Sequence, residues 1–94
     1  MKNRLTPTVG SIVRSKAGRD EGRCFLVLTL DGDEYALIAD GDLRTVERPK
    51  RKKFRHLYVV QPESGLKQAL EAGEAVTNGA IRESLAQAQC SEEG

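Results

Sequence analysis

Between Arg48 and His56 the chain reads Arg-Pro-Lys-Arg-Lys-Lys-Phe-Arg-His, six permanent cations in nine residues with no acid among them, and Arg44 stands just upstream. Cations at this density suit phosphate. Each phosphate neutralised releases condensed counterion, so affinity falls steeply with salt and carries little sequence information. Phe54 and the guanidinium planes of Arg51 and Arg55 add surfaces on which an unpaired base can stack. Arg44, Arg48, Lys50, Arg51, Lys52, Lys53, Phe54, Arg55 and His56 are therefore candidate RNA contacts. The other reading of Lys50 to Lys53 is a charged edge that keeps a strand from pairing with foreign chains. That device needs one or two lysines, and this run exceeds it.

A second basic group, Arg14, Lys16, Arg19 and Arg23, surrounds a polar loop over residues 17–22. It reads either as a further set of phosphate donors or as a plain β-turn whose cations pair with Asp20 and Glu21. Gly18 and Gly22 are structural in both readings, because a tight loop needs backbone conformations that glycine enters without a Cβ penalty. The spacing lacks the Gly-Lys-Ser/Thr of a nucleotide-binding loop.

Catalytic and metal chemistry find little to work with. The single histidine, His56, has no acidic neighbour in sequence to orient it as a general base. Asp31, Asp33, Asp40 and Asp42 flank Gly32 and Gly41, turn positions that favour Asp for conformational reasons, and the twelve-residue spacing of a calcium loop is absent. Cys24 and Cys90 show neither zinc spacing nor a disulfide framework, so Cys24 reads as a small buried apolar residue and the compartment as reducing. The expectation is a protein that is not an enzyme, without metal or cofactor, soluble and cytoplasmic, since no apolar run is long enough to span a bilayer.

The elements that must position these residues follow from hydrophobic periodicity. Turn signals at short intervals divide residues 9–60 into strands, the mark of a small β domain. The strands are expected over residues 11–14, 23–30, 34–39, 43–47 and 57–60, with a hairpin at Asp31-Gly32-Asp33 and a turn at Asp40-Gly41-Asp42. Along residues 23–30, Cys24, Leu26, Leu28 and Leu30 share one face while Phe25, Val27 and Thr29 share the other, and both are apolar enough for a central strand. Pro49, lacking an amide donor, ends the fourth strand or restricts it to an edge. Beyond Pro62 the period becomes helical: Leu66, Ala69 and Leu70 form one short helix, and Ala80, Ile81, Leu85 and Ala88 a second. Residues 91–94 should fray.

Three segments result: an N-terminal arm over residues 1–8, a β domain over 9–60, and an acidic helical extension over 61–94. The net charge of +1 hides an asymmetry between them. Residues 1–60 carry 13 Lys or Arg against 8 acids, and residues 61–94 carry 2 against 6.

The stretch from Val9 to Arg23, Val-Gly-Ser-Ile-Val-Arg-Ser-Lys-Ala-Gly-Arg-Asp-Glu-Gly-Arg, resembles a KOW motif, in which hydrophobic and hydrophilic residues alternate around a loop glycine. Gly22 stands at the position of that glycine. With Asp40-Gly41 and Lys50-Arg51-Lys52-Lys53, residues 9–60 resemble small bacterial KOW-containing proteins similar to ribosomal protein L14e. The resemblance implies a five-stranded SH3-like β-barrel that binds RNA, ribosomal RNA above all, through loops and exposed strand ends. KOW modules also occur in transcription elongation factors, where they contact protein.

Two function classes follow. One is an RNA-binding module, ribosome-associated, gripping phosphates with the basic strand and loop. The alternative is a protein-interaction adaptor of the transcription or translation machinery, contacting ribosomal or transcription proteins, with Leu66, Leu70, Ile81 and Leu85 as an exposed apolar stripe. Masking of the basic face by the acidic extension is a further option.

Overall fold

The computed structural model describes residues 6–88. The start of the N-terminal arm, Cys90 and the fraying expected over residues 91–94 lie outside them. Five strands, β1 (Ile12–Ser15), β2 (Cys24–Asp31), β3 (Tyr35–Ala39), β4 (Lys50–Lys53) and β5 (Leu57–Gln61), form one antiparallel sheet in the order β4-β3-β2-β1-β5. Two helices, α1 (Lys67–Glu71) and α2 (Asn78–Gln87), follow. The chain is thus mainly β with a short helical extension, and the strands expected at 11–14, 23–30, 34–39 and 57–60 form within a residue of those bounds.

β2 is the central strand, and its two apolar faces account for that place. Phe25 and Val27 point into an inner core with Val13, Ala36, Ile38, Leu57 and Val59. Leu26 points the other way and meets Ile12, Ala39 and Ile81, with Cys24 and Leu28 packed alongside. The pairing of β2 with β3 shifts register between Val27 and Thr29. An extra residue at that point bends a strand and increases its twist. It also breaks the alternation: Leu30, expected on the face of Leu26, lies opposite Ala36 of the inner face instead, at an exposed position. The sheet curls around the inner core, yet no ladder joins its outer strands β4 and β5. A 3-10 turn, Phe54–His56, carries the chain between them. Four residue steps separate Lys53 from Leu57, so the strand ends stand at most about 14 Å apart.

The strand expected over residues 43–47 does not form, and β4 is the basic run itself. Polar groups take up the backbone that such a strand would need. Asp40 Oδ1 accepts from the amides of Asp42 and Arg44, each at 2.9 Å, and the amides of Asp40 and Gly41 both donate to the Arg44 carbonyl. The Val46 amide donates to Asn78 Oδ1 at 2.8 Å. With these groups engaged, the ladder beside β3 falls to Lys50–Lys53, next along the chain.

The outward apolar face of β1, β2 and β3 needs a cover, and the extension supplies it. Ile81 of α2 is fully buried, and Leu66, Leu70, Val76, Leu85 and Ala88 pack around it. The exposed stripe expected of Leu66, Leu70, Ile81 and Leu85 is therefore absent; burial of these side chains, at about 1.5–3 kcal/mol each when complete, is what holds short helices that would be marginal alone. Thr77 caps α2 by accepting from the Ala80 amide at 3.0 Å. Cys24 is disulfide-bonded, where a free thiol in a reducing compartment was expected. No helix among the described residues is long and apolar enough to cross a membrane.

Gly41 marks the closest approach of loop and helix. Its φ is +79°, and a Cβ there would meet the Asn78 carbonyl oxygen and Arg82 Cγ. Gly22 has a φ of +89° but open space around it. Gly22→Ala should thus cost only the left-handed conformation, about 1–2 kcal/mol, whereas Gly41→Ala should cost distinctly more and displace α2. Urea denaturation of both variants, followed by far-ultraviolet circular dichroism, checks the order; equal costs would contradict the docking described.

Candidate functional site

Register divides the basic run in two. Within β4, Lys50 lies opposite Ile38 and Lys52 opposite Ala36, both buried on the inner face, while Arg51 and Lys53 lie opposite Leu37 and Tyr35 on the outer face. Side chains of a strand alternate between faces, so one stretch of four cations sends two inward and two outward.

The inward pair is held by a single acid. The loop between β1 and β2 contains a 3-10 turn, Gly18–Asp20, that places Asp20 beside β4. Asp20 Oδ2, shielded from solvent, has Lys50 Nζ at 2.7 Å and Lys52 Nζ at 3.7 Å. Lys52 Nζ also donates to the Ala17 carbonyl at 3.2 Å, and Lys52 is buried. The close contact with the Lys50 ammonium outweighs burial and, with the charges of Lys50, Lys52 and Arg44, holds the Asp20 carboxyl below the usual carboxylate range. Arg44 thereby joins the same neighbourhood.

The outward pair surrounds Tyr35. The Arg51 guanidinium carbon lies 3.6 Å from the Tyr35 ring centroid, and Lys53 Nζ lies 5.7 Å from it. Arg51 Nε donates to Asp31 Oδ2 at 2.6 Å, which raises the arginine's pKa further. Farther round the sheet, Arg14 packs over Tyr58 at 5.2 Å, its direct partner across β1 and β5, and Tyr58 is exposed.

The remaining candidates fall into three environments. Lys16, just past β1, donates its amide to the His56 carbonyl at 2.8 Å, which sets Lys16 against the Phe54–His56 turn that carries Arg55; Arg19 lies within the Gly18–Asp20 turn of the β1–β2 loop. Arg23 is committed elsewhere: its guanidinium donates to Asp40 Oδ2 at 2.7 Å. Burial disfavours the charged form of Asp40, but this bond and the amides of Arg44 and Asp42 outweigh it and keep the carboxyl low. Phe54, a candidate for stacking, is half-buried and packs against the inner core. The rings that lie beside outward cations are those of the tyrosines, half-buried Tyr35 beside Arg51 and Lys53, and exposed Tyr58 beside Arg14, and sequence reasoning passed over both. Their outward parity in β3 and β5, next to basic residues in register, was the available signal.

Gly18 and Gly22 both take positive φ, as a structural role requires. The Gly22 amide donates to the Ser15 carbonyl at 2.9 Å and closes the loop. His56 is half-buried at the end of its turn, with no carboxylate within 4 Å. No group of three or more His, Cys, Asp or Glu among the described residues could hold a metal ion.

Once the internal pairs are removed, Arg14, Lys16, Arg19, Arg44, Arg48, Lys53 and Arg55 remain without a carboxylate within 4 Å among the described residues. No ion pair joins the acidic extension to the basic run there; the one ion pair of α1 is internal, Lys67 to Glu71. No protein-family model and no curated protein matches this sequence.

Asp20→Asn should destabilise the fold at pH 7 by roughly 1.5–3 kcal/mol, since it strips a charge-assisted bond from two partly buried ammonium groups. Because folding lowers the Asp20 pKa, its contribution is complete above the unfolded value of 3.8 and is lost as pH falls through the folded value. Urea denaturation at pH 7 and at pH 2.5 should therefore show a gap between wild type and variant that narrows in acid.

Proposed function

We propose that this protein is a non-enzymatic RNA-binding module, ribosome-associated, whose β sheet is a scaffold of SH3-like form. The observation that carries the reading is the surplus of cations left without a carboxylate partner among the described residues. Lys16 and Arg19 on the β1–β2 loop, Lys53 on β4 and Arg55 on the following turn belong to it, and the bond from the Lys16 amide to the His56 carbonyl sets Lys16 beside that turn. A fold that needs basic residues only for its own ion pairs would leave no such surplus, and protection of an edge strand needs fewer.

The curl supports the SH3-like form. A five-stranded antiparallel sheet bends at a bulge in its long central strand, and a single 3-10 turn links its outer strands. Loops at the ends of such a sheet vary freely while the strands hold them in place, which suits them to recognition. The resemblance of residues 9–60 to KOW proteins points the same way. It places the loop glycine at Gly22, where φ is +89° and side-chain space is open.

The surface favours a polyanion whose backbone is followed over several phosphates. Cations spaced along a loop, a strand and a turn meet successive phosphates and supply affinity without a sequence code. For single-stranded RNA each lost contact should reduce the slope of log affinity against log salt by about 0.7.

Replacing Lys16, Arg19, Lys53 and Arg55 by Gln should thus weaken binding to structured RNA and flatten that slope by roughly 3, as four contacts would imply. Fluorescence anisotropy across a salt series makes the measurement. Replacing Leu43, an exposed apolar residue, by Ser is the control. An unchanged slope in the quadruple variant would remove the reading.

A further inference from the structure

Among the outward cations of β4, Arg51 stands apart. Its charge is already answered, because Asp31 accepts from its Nε at 2.6 Å. A phosphate approaching there would meet the Asp31 carboxylate as well, so Arg51 is a poor grip for a backbone anion. What remains is the guanidinium plane. One face lies 3.6 Å from the centroid of Tyr35, while 54% of the Arg51 side chain is open to solvent. Ring and carboxylate fix a long side chain that would otherwise sample many rotamers, so little further ordering is needed on binding.

A flat, held guanidinium with solvent beyond it is a surface for an aromatic plane. Unpaired bases stack on arginine planes as they do on aromatic rings, and every base has such a face. Bases in a duplex are already stacked and do not offer theirs. Lys53, the next outward residue of β4 and the one opposite Tyr35, stands without a carboxylate partner to receive the phosphate of the same nucleotide.

We infer that the Asp31–Arg51–Tyr35 stack is a subsite for one unpaired nucleobase, giving the basic surface a preference for single-stranded over duplex RNA. The inference rests on the RNA-binding reading and deepens it. It assigns the two outward residues of β4 different tasks, a base for Arg51 and a phosphate for Lys53.

The test uses the full chain and two probes, a fluorescein-labelled ten-nucleotide single-stranded RNA and the same strand annealed to its complement. Arg51→Lys keeps the charge and removes the plane, and Tyr35→Leu removes the ring behind it. Each variant should bind the single strand about tenfold more weakly and the duplex as wild type does. Lys53→Gln should weaken both probes alike. Circular dichroism confirms that each variant is folded. Equal loss on both probes, or no loss on either, overturns the subsite while leaving the RNA-binding reading standing. Failure of wild type to bind either probe overturns both.

Discussion

The carboxylate of Asp20 is the contact on which the arrangement of the basic surface depends. Four cations in a row on an edge strand repel one another, and two of them face the inner side of a curled sheet. An ammonium group in that position needs a counter-charge, because an isolated buried charge is far costlier than a paired one. The loop between β1 and β2 meets the need by turning Asp20 toward Lys50 and Lys52. One acid thereby ties the loop to the strand, and the loop brings Lys16 and Arg19 with it.

Alternation does the rest. A strand cannot send consecutive side chains to one face, so a run that looks uniform in sequence becomes two functional halves. The inner half serves the fold. The outer half, continued by the turn to β5, stays at the surface, and among the described residues no ion pair joins the helical extension to it. α1 and α2 lie over Ile12, Leu26 and Ala39, where their apolar residues replace water against the outer face of the sheet. The two helices and the basic run thus occupy separate parts of the described structure.

Much of this was legible in the chain. The double apolar parity of β2 marked it as central, the glycines at 32 and 41 marked turns, and the change of period after Pro62 marked the helices. The pairing of cations was not legible. That Asp20 faces β4 depends on a contact across 30 residues of sequence, and the commitment of Arg23 to Asp40 depends on another across 17. The strand expected over residues 43–47 failed for a similar reason, because its Val46 amide is claimed by Asn78, 32 residues away. Local pattern assigned elements well and partners poorly. Phe54 illustrates the same limit: its packing against the inner core could not be read from a ring among cations.

The division of the basic run is most directly examined by ultraviolet crosslinking of the full chain to an RNA hairpin with an unpaired loop, followed by mass spectrometry of the crosslinked peptides. Adducts are predicted at Tyr35, Arg51, Lys53, Arg55 and Lys16, with none at Lys50 or Lys52. Adducts at Lys50 and Lys52, or adducts confined to α1 and α2, would contradict it.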